Sequence, residues 1–384
     1  MPQITWKEIT AIGASTVSIL YVLKEFIQIY KQNHDYNLTK LSPPEIGVEG
    51  LVGNTPMVLI KSLSKITGNN VYAKLEYLNP GGSSKDRVAL AIIKDKELSH
   101  ELNEGDCIYE GTSGSTGISI GTVANSLGYK SEIHLPDDTS PDKLILFETL
   151  GVNLIKVKPA SIVDPNQYVN SAKNAALTNN GIFADQFENE VNWDVHYKTT
   201  GPEIYQQLKG KVDYFIAGCG TGGTIAGVSK YLKEKLHDKF ISILADPQGS
   251  GFYNRIKYGV MYTNEEREGS RRRHQVDTII EGIGLNRITK NFSIGESYID
   301  DSIKVYDDEA IKMARFLNVN DGFFIGSSSA INAVAVLKLC KENPTIKNKN
   351  IVLAFCDSGT RHLNKFWKEA LKVSKDITIE SIYS

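Results

Sequence analysis

Beyond residue 44 the chain alternates between two periods of hydrophobicity. Short runs rich in β-branched and aromatic residues, at Val71–Leu75, Cys107–Tyr109, Glu132–Leu135, Asn153–Val157, Asp213–Ala217, Ile241–Ala245 and Ile351–Phe355, predict strands. Between them, apolar positions recur three and four residues apart over Arg87–Leu98, Ser115–Leu127, Pro141–Leu150, Pro165–Leu177, Thr224–Leu236, Asp307–Leu317, Ser328–Leu339 and Thr360–Val373, which predict helices. Strands and helices in alternation make an α/β fold of mostly parallel, twisted sheets flanked by helices on both faces. Ligands in such folds bind beyond the carboxyl ends of strands, against helix N-termini.

The first forty residues follow a different pattern. Ile9–Leu23 carries no charge, and a helix there spans about 22 Å at ~1.5 Å per residue, short of a ~30 Å hydrocarbon layer. Continued through Phe26-Ile-Gln-Ile-Tyr30 it is long enough, provided Lys24 and Glu25 snorkel to one interface. Lys24-Glu25 stands where a secretory signal has small residues, and a matrix presequence is arginine-rich, whereas this segment has no arginine. An N-terminal apolar helix is expected, either as a membrane anchor through residues 9–30 or buried against the body or a partner. A polar linker ending in Pro43-Pro44 follows it.

Composition narrows the function classes. A chain of 384 residues is long enough for two domains with substantial cores. A net charge of −2 gives no general pull toward nucleic acid. Cys107, Cys219, Cys340 and Cys356 are widely spaced, without a C-x-x-C pair, so neither a metal site nor a disulfide framework is expected. The basic cluster Ser270-Arg-Arg-Arg-His274 fits a solvated loop better than a docking patch for an anionic surface.

Three loops carry candidate chemistry. In Gly220-Thr-Gly-Gly-Thr224, after one strand and opening a helix, glycines let backbone N–H groups converge where the helix terminus adds partial positive charge, which suits a phosphate dianion. Neither nucleotide-binding glycine pattern is present, so a small phosphorylated cofactor fits better than a nucleotide. In Asn79-Pro-Gly-Gly-Ser-Ser-Lys-Asp-Arg87 a turn fixes Lys85 at a helix start that Ser83 or Ser84 can cap; Lys85 is a candidate Schiff-base nucleophile, or a phosphate-contacting or solvated lysine. In Glu110-Gly-Thr-Ser-Gly-Ser-Thr-Gly117 the hydroxyls and amides of Thr112, Ser113, Gly114 and Thr116 can surround a carboxylate, or simply cap a helix.

These three loops, in this order, resemble those of the cysteine synthase and cystathionine β-synthase family of pyridoxal-phosphate β-replacement enzymes, and within it the fungal membrane-anchored members. The likeness runs from about Leu51 to about Leu363 and leaves out the first forty residues. It implies a tryptophan synthase β-like fold (type II) with an anchor and linker at 1–40, a large cofactor-binding domain at 41–86 and 190–384, and a small mobile substrate domain at 87–189. It implies pyridoxal 5'-phosphate bound through Lys85, Ser115, Gly220, Thr221, Gly222, Gly223, Thr224 and Ser358, with Lys85 catalytic and Ser358 beneath the ring nitrogen. A serine two residues before the helix after Gly359 is a poor N-cap, while Asp357 fits a turn. Thr112, Ser113, Gly114, Thr116 and Gln186 are implied for the substrate carboxylate. Ser115 departs from the family's asparagine, so its contact with the cofactor is expected to be longer or water-bridged.

The implied reaction forms L-cysteine from O-acetyl-L-serine and sulfide through an α-aminoacrylate, with Lys85 moving the α-proton. Cystathionine synthase or cysteine desulfhydrase activity, or a catalytically weak membrane-tethered binding protein, are the alternatives. The partners implied are a small amino acid and a sulfide or thiol, with no nucleic acid, in a homodimer. The flanking lysines (Lys7, Lys24, Lys31) suggest a mitochondrial outer-membrane anchor with the catalytic part facing the cytosol; a cytoplasmic location is the alternative.

Overall fold

In the computed structural model the described residues are 44–263 and 278–382, together with Lys24. Apart from Lys24, the apolar stretch 9–30 lies outside them, as does the basic cluster at 270–274. The described residues from 46 onward make up one compact unit. Among the described residues no helix is long and apolar enough to cross a membrane.

The alternation of strands and helices builds two sheets. The larger has six strands in the order β1 (Met57–Leu59), β2 (Asn70–Leu75), β10 (Asn350–Phe355), β7 (Tyr214–Gly218), β8 (Ile241–Pro247) and β9 (Asp301–Val305), parallel except for β1. The smaller has four parallel strands in the order β5 (Asn153–Val157), β4 (Lys130–Pro136), β3 (Cys107–Gly111) and β6 (Ile182–Phe183). Both faces of the six-stranded sheet are buried. In β10, Ile351, Leu353 and Phe355 enter one core and Val352 and Ala354 the other, and in β7 Tyr214 and Ile216 oppose Phe215 and Ala217. This period of two on a doubly covered sheet gives the continuous apolar runs seen in the sequence. A third core lies in the smaller layer, where Val88, Ile92 and Ile93 of the Lys85–Leu98 helix pack with Ile108, Ile133 and Phe147.

Strands β1, β6 and β9 have weak periodicity and were not expected. The helix expected at Pro165–Leu177 begins at Tyr168, because the Gln167 side chain caps it by accepting from Val169 N. The one expected at Thr360–Val373 is broken into a 3₁₀ turn (Gly359–His362), a π turn (Leu363–Trp367) and a short α turn (Lys368–Ala370). There, contacts with other elements override local propensity: Phe366 and Trp367 are buried, and Trp367 Nε1 donates to Ile325 O at 2.9 Å.

The segment that carries Lys85 is tied down from both sides. Ser84 N donates to Cys356 O (3.0 Å) and Ser358 N to Gly82 O (3.2 Å), stitching the turn to the end of β10. Gly82 has φ 81°, a left-handed conformation that favours glycine. Asp86 closes the turn by accepting from Gly81 N (2.6 Å) and from Ser119 Oγ (2.5 Å). Arg87 is buried and pairs with Glu76 (2.7 Å) and Glu203 (2.6 Å), while Lys74, equally buried, pairs with Glu203 (2.6 Å). Removing one member of such a network strands its partners in a water-poor interior. Arg87→Met is therefore expected to lower stability by about 3–5 kcal/mol in urea denaturation, and a loss below about 1 kcal/mol would show that the network carries little of the fold.

Candidate active site

The loops at the carboxyl ends of β2, β3 and β7 meet at a cleft of about 1020 Å³ that Lys85, Thr112, Ser113, Ser115, Thr116 and Gln186 all line. A narrower recess adjoins it, lined by Lys85, Ser115, Gly220, Thr224, Cys356 and Asp357 among others. Lys85 opens its helix at the boundary of the two, and Ser83 supplies the helix-start contact by accepting from Lys85 N at 3.1 Å. Ser84 occupies the cap position but makes no capping bond.

On one side, β7 ends at Gly218 and the Gly223–Leu236 helix begins five residues later. Gly222 has φ 92°, and a Cβ there would lie 2.6 Å from Phe292 N, so backbone conformation and packing both demand glycine. The first-turn amides of that helix have no intrahelical acceptor, and they face a recess that also holds the hydroxyls of Thr221 and Thr224. A recess with a helix N-terminus, two hydroxyls and a lysine amine fits a phosphorylated aldehyde of the pyridoxal phosphate type.

On the other side, the Ser115–Leu127 helix starts behind Gly114. Thr112 Oγ1 accepts from Gly114 N (3.3 Å), and Thr116 Oγ1 donates to Gln186 Oε1 (2.5 Å), so residues expected to share one carboxylate already touch one another. Ser115 has a partner within the protein. Its hydroxyl donates to Asp357 Oδ2 at 2.5 Å, so its proton is committed to a carboxylate. Ser358, expected to be a poor cap, is the N-cap of the Gly359–His362 turn: its Oγ accepts from Thr360 N (3.3 Å) and Thr360 Oγ1 (2.9 Å), which leaves its own proton free to donate. The 3₁₀ turn begins at Gly359 itself, earlier than the periodicity indicated, and this brings Ser358 into capping position.

Several ionisable groups here have no role assigned to them from the sequence. Asp357 is buried, which alone would raise its pKa, yet the His362 contact, the Arg361 charge and the Ser115 hydroxyl hold it well below the usual carboxylate range. His362 Nδ1 lies 3.2 Å from Glu281, which pairs with Lys143 at 2.9 Å; Lys143 belongs to the four-stranded layer and the other two to the six-stranded one. Burial pushes the Cys356 thiol up to about 12 despite the nearby Lys85 charge, so it is a neutral wall of the recess. Burial likewise raises Glu110 to about 8 against the amide of Gln186, which donates to it at 3.1 Å. All of these except the Lys143–Glu281 and His362–Glu281 contacts are neighbours in sequence of the expected motifs, so the motifs were the only pointer to them.

Residues 48–357 match the family described as "Pyridoxal-phosphate dependent enzyme". A Saccharomyces cerevisiae protein provisionally named a mitochondrial cysteine synthase is 58% identical over 389 residues, covering 99% of this chain and 97% of its own. The Schizosaccharomyces pombe protein named cysteine synthase 2 is 52% identical over 342 residues, 86% of each chain. Among solved structures, that of O-ureido-L-serine synthase superposes with a TM-score of 0.75 at 26% identity, over 88% of this chain and 99% of its own.

The buried carboxyl of Glu110 gives a pH signature. The folded chain keeps this proton up to about pH 8, whereas an ordinary glutamate releases it near 4.5, so between those values the folded state binds more protons. Stability is then lost as pH rises through that window. Glu110→Gln is expected to remove roughly 2–4 kcal/mol of that loss between pH 5 and 8. Parallel stability curves for the two proteins across that range would show that Glu110 ionises normally.

Proposed function

The chain belongs to the pyridoxal-phosphate dependent enzyme family, and from that premise we propose that it forms L-cysteine from O-acetyl-L-serine and sulfide. It is a cysteine synthase-like, pyridoxal-phosphate-dependent enzyme, and the observation that carries the substrate assignment is its 52–58% identity to proteins named cysteine synthase. The site supports it. Lys85 Nζ, on an anchored turn at the boundary of cleft and recess, is suited to attach the cofactor and then to take and return the proton at the substrate's α-carbon. Pyridoxal phosphate, when bound, supplies the electron sink that makes that α-proton acidic and the β-substituent able to leave.

Gly220, Thr221, Gly222, Gly223 and Thr224 would hold its phosphate, with Ser115 and Ser358 facing its ring. Thr112, Ser113, Gly114, Thr116 and Gln186 would bind the substrate carboxylate, their hydroxyls and amides at a helix N-terminus stabilising the negative charge. The segment 87–189 would act as a small domain that closes on bound substrate and excludes water, against a large domain of 41–86 and 190–384. The Lys143–Glu281 pair, which joins the two layers across the cleft, supports that division. A homodimer is the family's usual assembly and is proposed here.

The name of the Saccharomyces relative supports a mitochondrial location. The uncharged run and its flanking lysines support an outer-membrane anchor through residues 9–30, with the enzyme facing the cytosol.

Lys85→Ala is expected to reduce cysteine formation from O-acetylserine and sulfide to background, and borohydride treatment of the loaded wild type is expected to fix the cofactor's mass on the peptide holding Lys85. Normal turnover in the variant, or label on another peptide, would remove the assignment. Residues 1–40 fused to a fluorescent reporter should collect on mitochondria; a diffuse cytosolic signal rules out a self-sufficient anchor.

A further inference from the structure

Both threonines of the Gly220–Thr224 loop receive a hydrogen bond from a buried side chain behind the loop. Asn192 Nδ2 donates to Thr221 Oγ1 at 2.9 Å, and His196 Nε2 lies 3.1 Å from Thr224 Oγ1. Both donors come from one helical stretch, Val191–Val195 continued by the π turn His196–Thr200, and both side chains are fully buried.

Proton accounting fixes the direction of each bond. The Asn192 amide nitrogen also lies 2.8 Å from Gln186 O, an acceptor only, so the NH₂ group faces that carbonyl and its second proton goes to Thr221. Burial lowers the pKa of His196 to about 3, so the ring is neutral and has a single N–H. Its Nδ1 lies 2.9 Å from Thr200 Oγ1, a buried hydroxyl with no other acceptor among the described residues, so Thr200 donates to Nδ1. The ring proton is then on Nε2 and is donated to Thr224. Each loop hydroxyl thus already accepts a hydrogen bond from a donor behind the loop. Neither has an acceptor of its own among the described residues, and both line the recess beside Lys85.

We propose that Asn192 and His196 are positioning residues that turn the Thr221 and Thr224 hydroxyl protons into the recess, making it selective for a dianionic phosphate, a ligand group that only accepts. This rests on the assignment of that loop to the cofactor's phosphate. A water or an alcohol, which gains from donating as well as accepting, makes less use of two hydroxyls that both donate. A phosphate dianion accepts from both, in addition to the amides of the helix start.

The test compares equilibrium binding of pyridoxal 5'-phosphate and of unphosphorylated pyridoxal to full-length protein freed of cofactor. Wild type is expected to hold the phosphorylated form far more tightly. His196→Met, which removes the donor, should weaken pyridoxal phosphate by about tenfold or more and leave pyridoxal unchanged, while His196→Gln, which restores an N–H at similar reach, should return to within about threefold of wild type. Asn192→Asp, isosteric but accepting where the amide donates, should also weaken the phosphorylated form alone, and it carries the comparison if the methionine variant does not fold. Phosphorus NMR gives a second readout. The bound phosphate should stay dianionic from pH 5 to 9 in wild type and begin to titrate, as free phosphate esters do near pH 6, in His196→Met. If both substitutions bind pyridoxal phosphate as wild type does, the positioning role is wrong and the loop assignment stands; if wild type holds both compounds equally, the loop assignment itself fails.

Discussion

A single nine-residue turn has to present one amine to a cleft while belonging to two sheets at once, and the rest of the structure is built around that demand. The turn leaves β2 in the six-stranded layer and enters the Lys85–Leu98 helix, whose Val88, Ile92 and Ile93 are core of the four-stranded layer. Were the join loose, the amine would move with every shift of one layer against the other. It is held instead by two backbone bonds to the end of β10, by Asp86 folded back on Gly81, and by the buried Arg87–Glu76–Glu203–Lys74 network. The two charged residues that follow the lysine are thus its mounting: Asp86 holds the turn and Arg87 anchors the helix to the larger layer.

Around that fixed point the electrostatics are unequal by design of the surroundings. Asp357 and Glu110 are both fully buried carboxyls beside the cleft, yet one is kept ionised and the other retains its proton well above the usual range. Desolvation acts on both in the same direction. Asp357 meets Arg361, His362 and two hydroxyls (Ser83 and Ser115), and these outweigh it; Glu110 meets only amides and the like charge of Asp185, which cannot. The cleft wall carries Asp137, Asp138 and Glu281 as well, and there Lys143, paired with Glu281, and the helix start at Ser115 offset that charge for a carboxylate substrate.

How much of this was legible in the sequence follows from how local each signal is. The strands that fill both cores announce themselves, because burial on two faces needs unbroken apolar runs; β7 and β10 are examples. The Lys85, Gly220–Thr224 and Thr112–Thr116 loops were legible too, since glycine and hydroxyl patterns at helix starts reflect backbone needs a few residues long. The breaking of the C-terminal helix was not, because it depends on Trp367 reaching Ile325, 42 residues away. The same holds for Asn192 and His196, whose partners lie 29 and 28 residues on. A histidine four residues before a threonine is an ordinary helical pair until the fold brings Thr224 to its other nitrogen.

Set side by side, the two ends of the recess have opposite polarity, and in each the first hydroxyl owes its direction to a residue behind it. At the glycine loop Thr221 and Thr224 each accept from one buried donor and offer their protons. At the Ser115 end the buried partner is a carboxylate, so the hydroxyl proton is taken and only lone pairs face inward. An asparagine at position 115 could give one N–H to Asp357 and keep a second for a ligand; the serine has a single proton, and it is tied to an ionised Asp357 in a charge-assisted bond. The substitution is therefore more than a shortening of the side chain. It removes a donor from that wall of the recess, and it does so through a carboxylate that sequence spacing alone would have left as a turn residue.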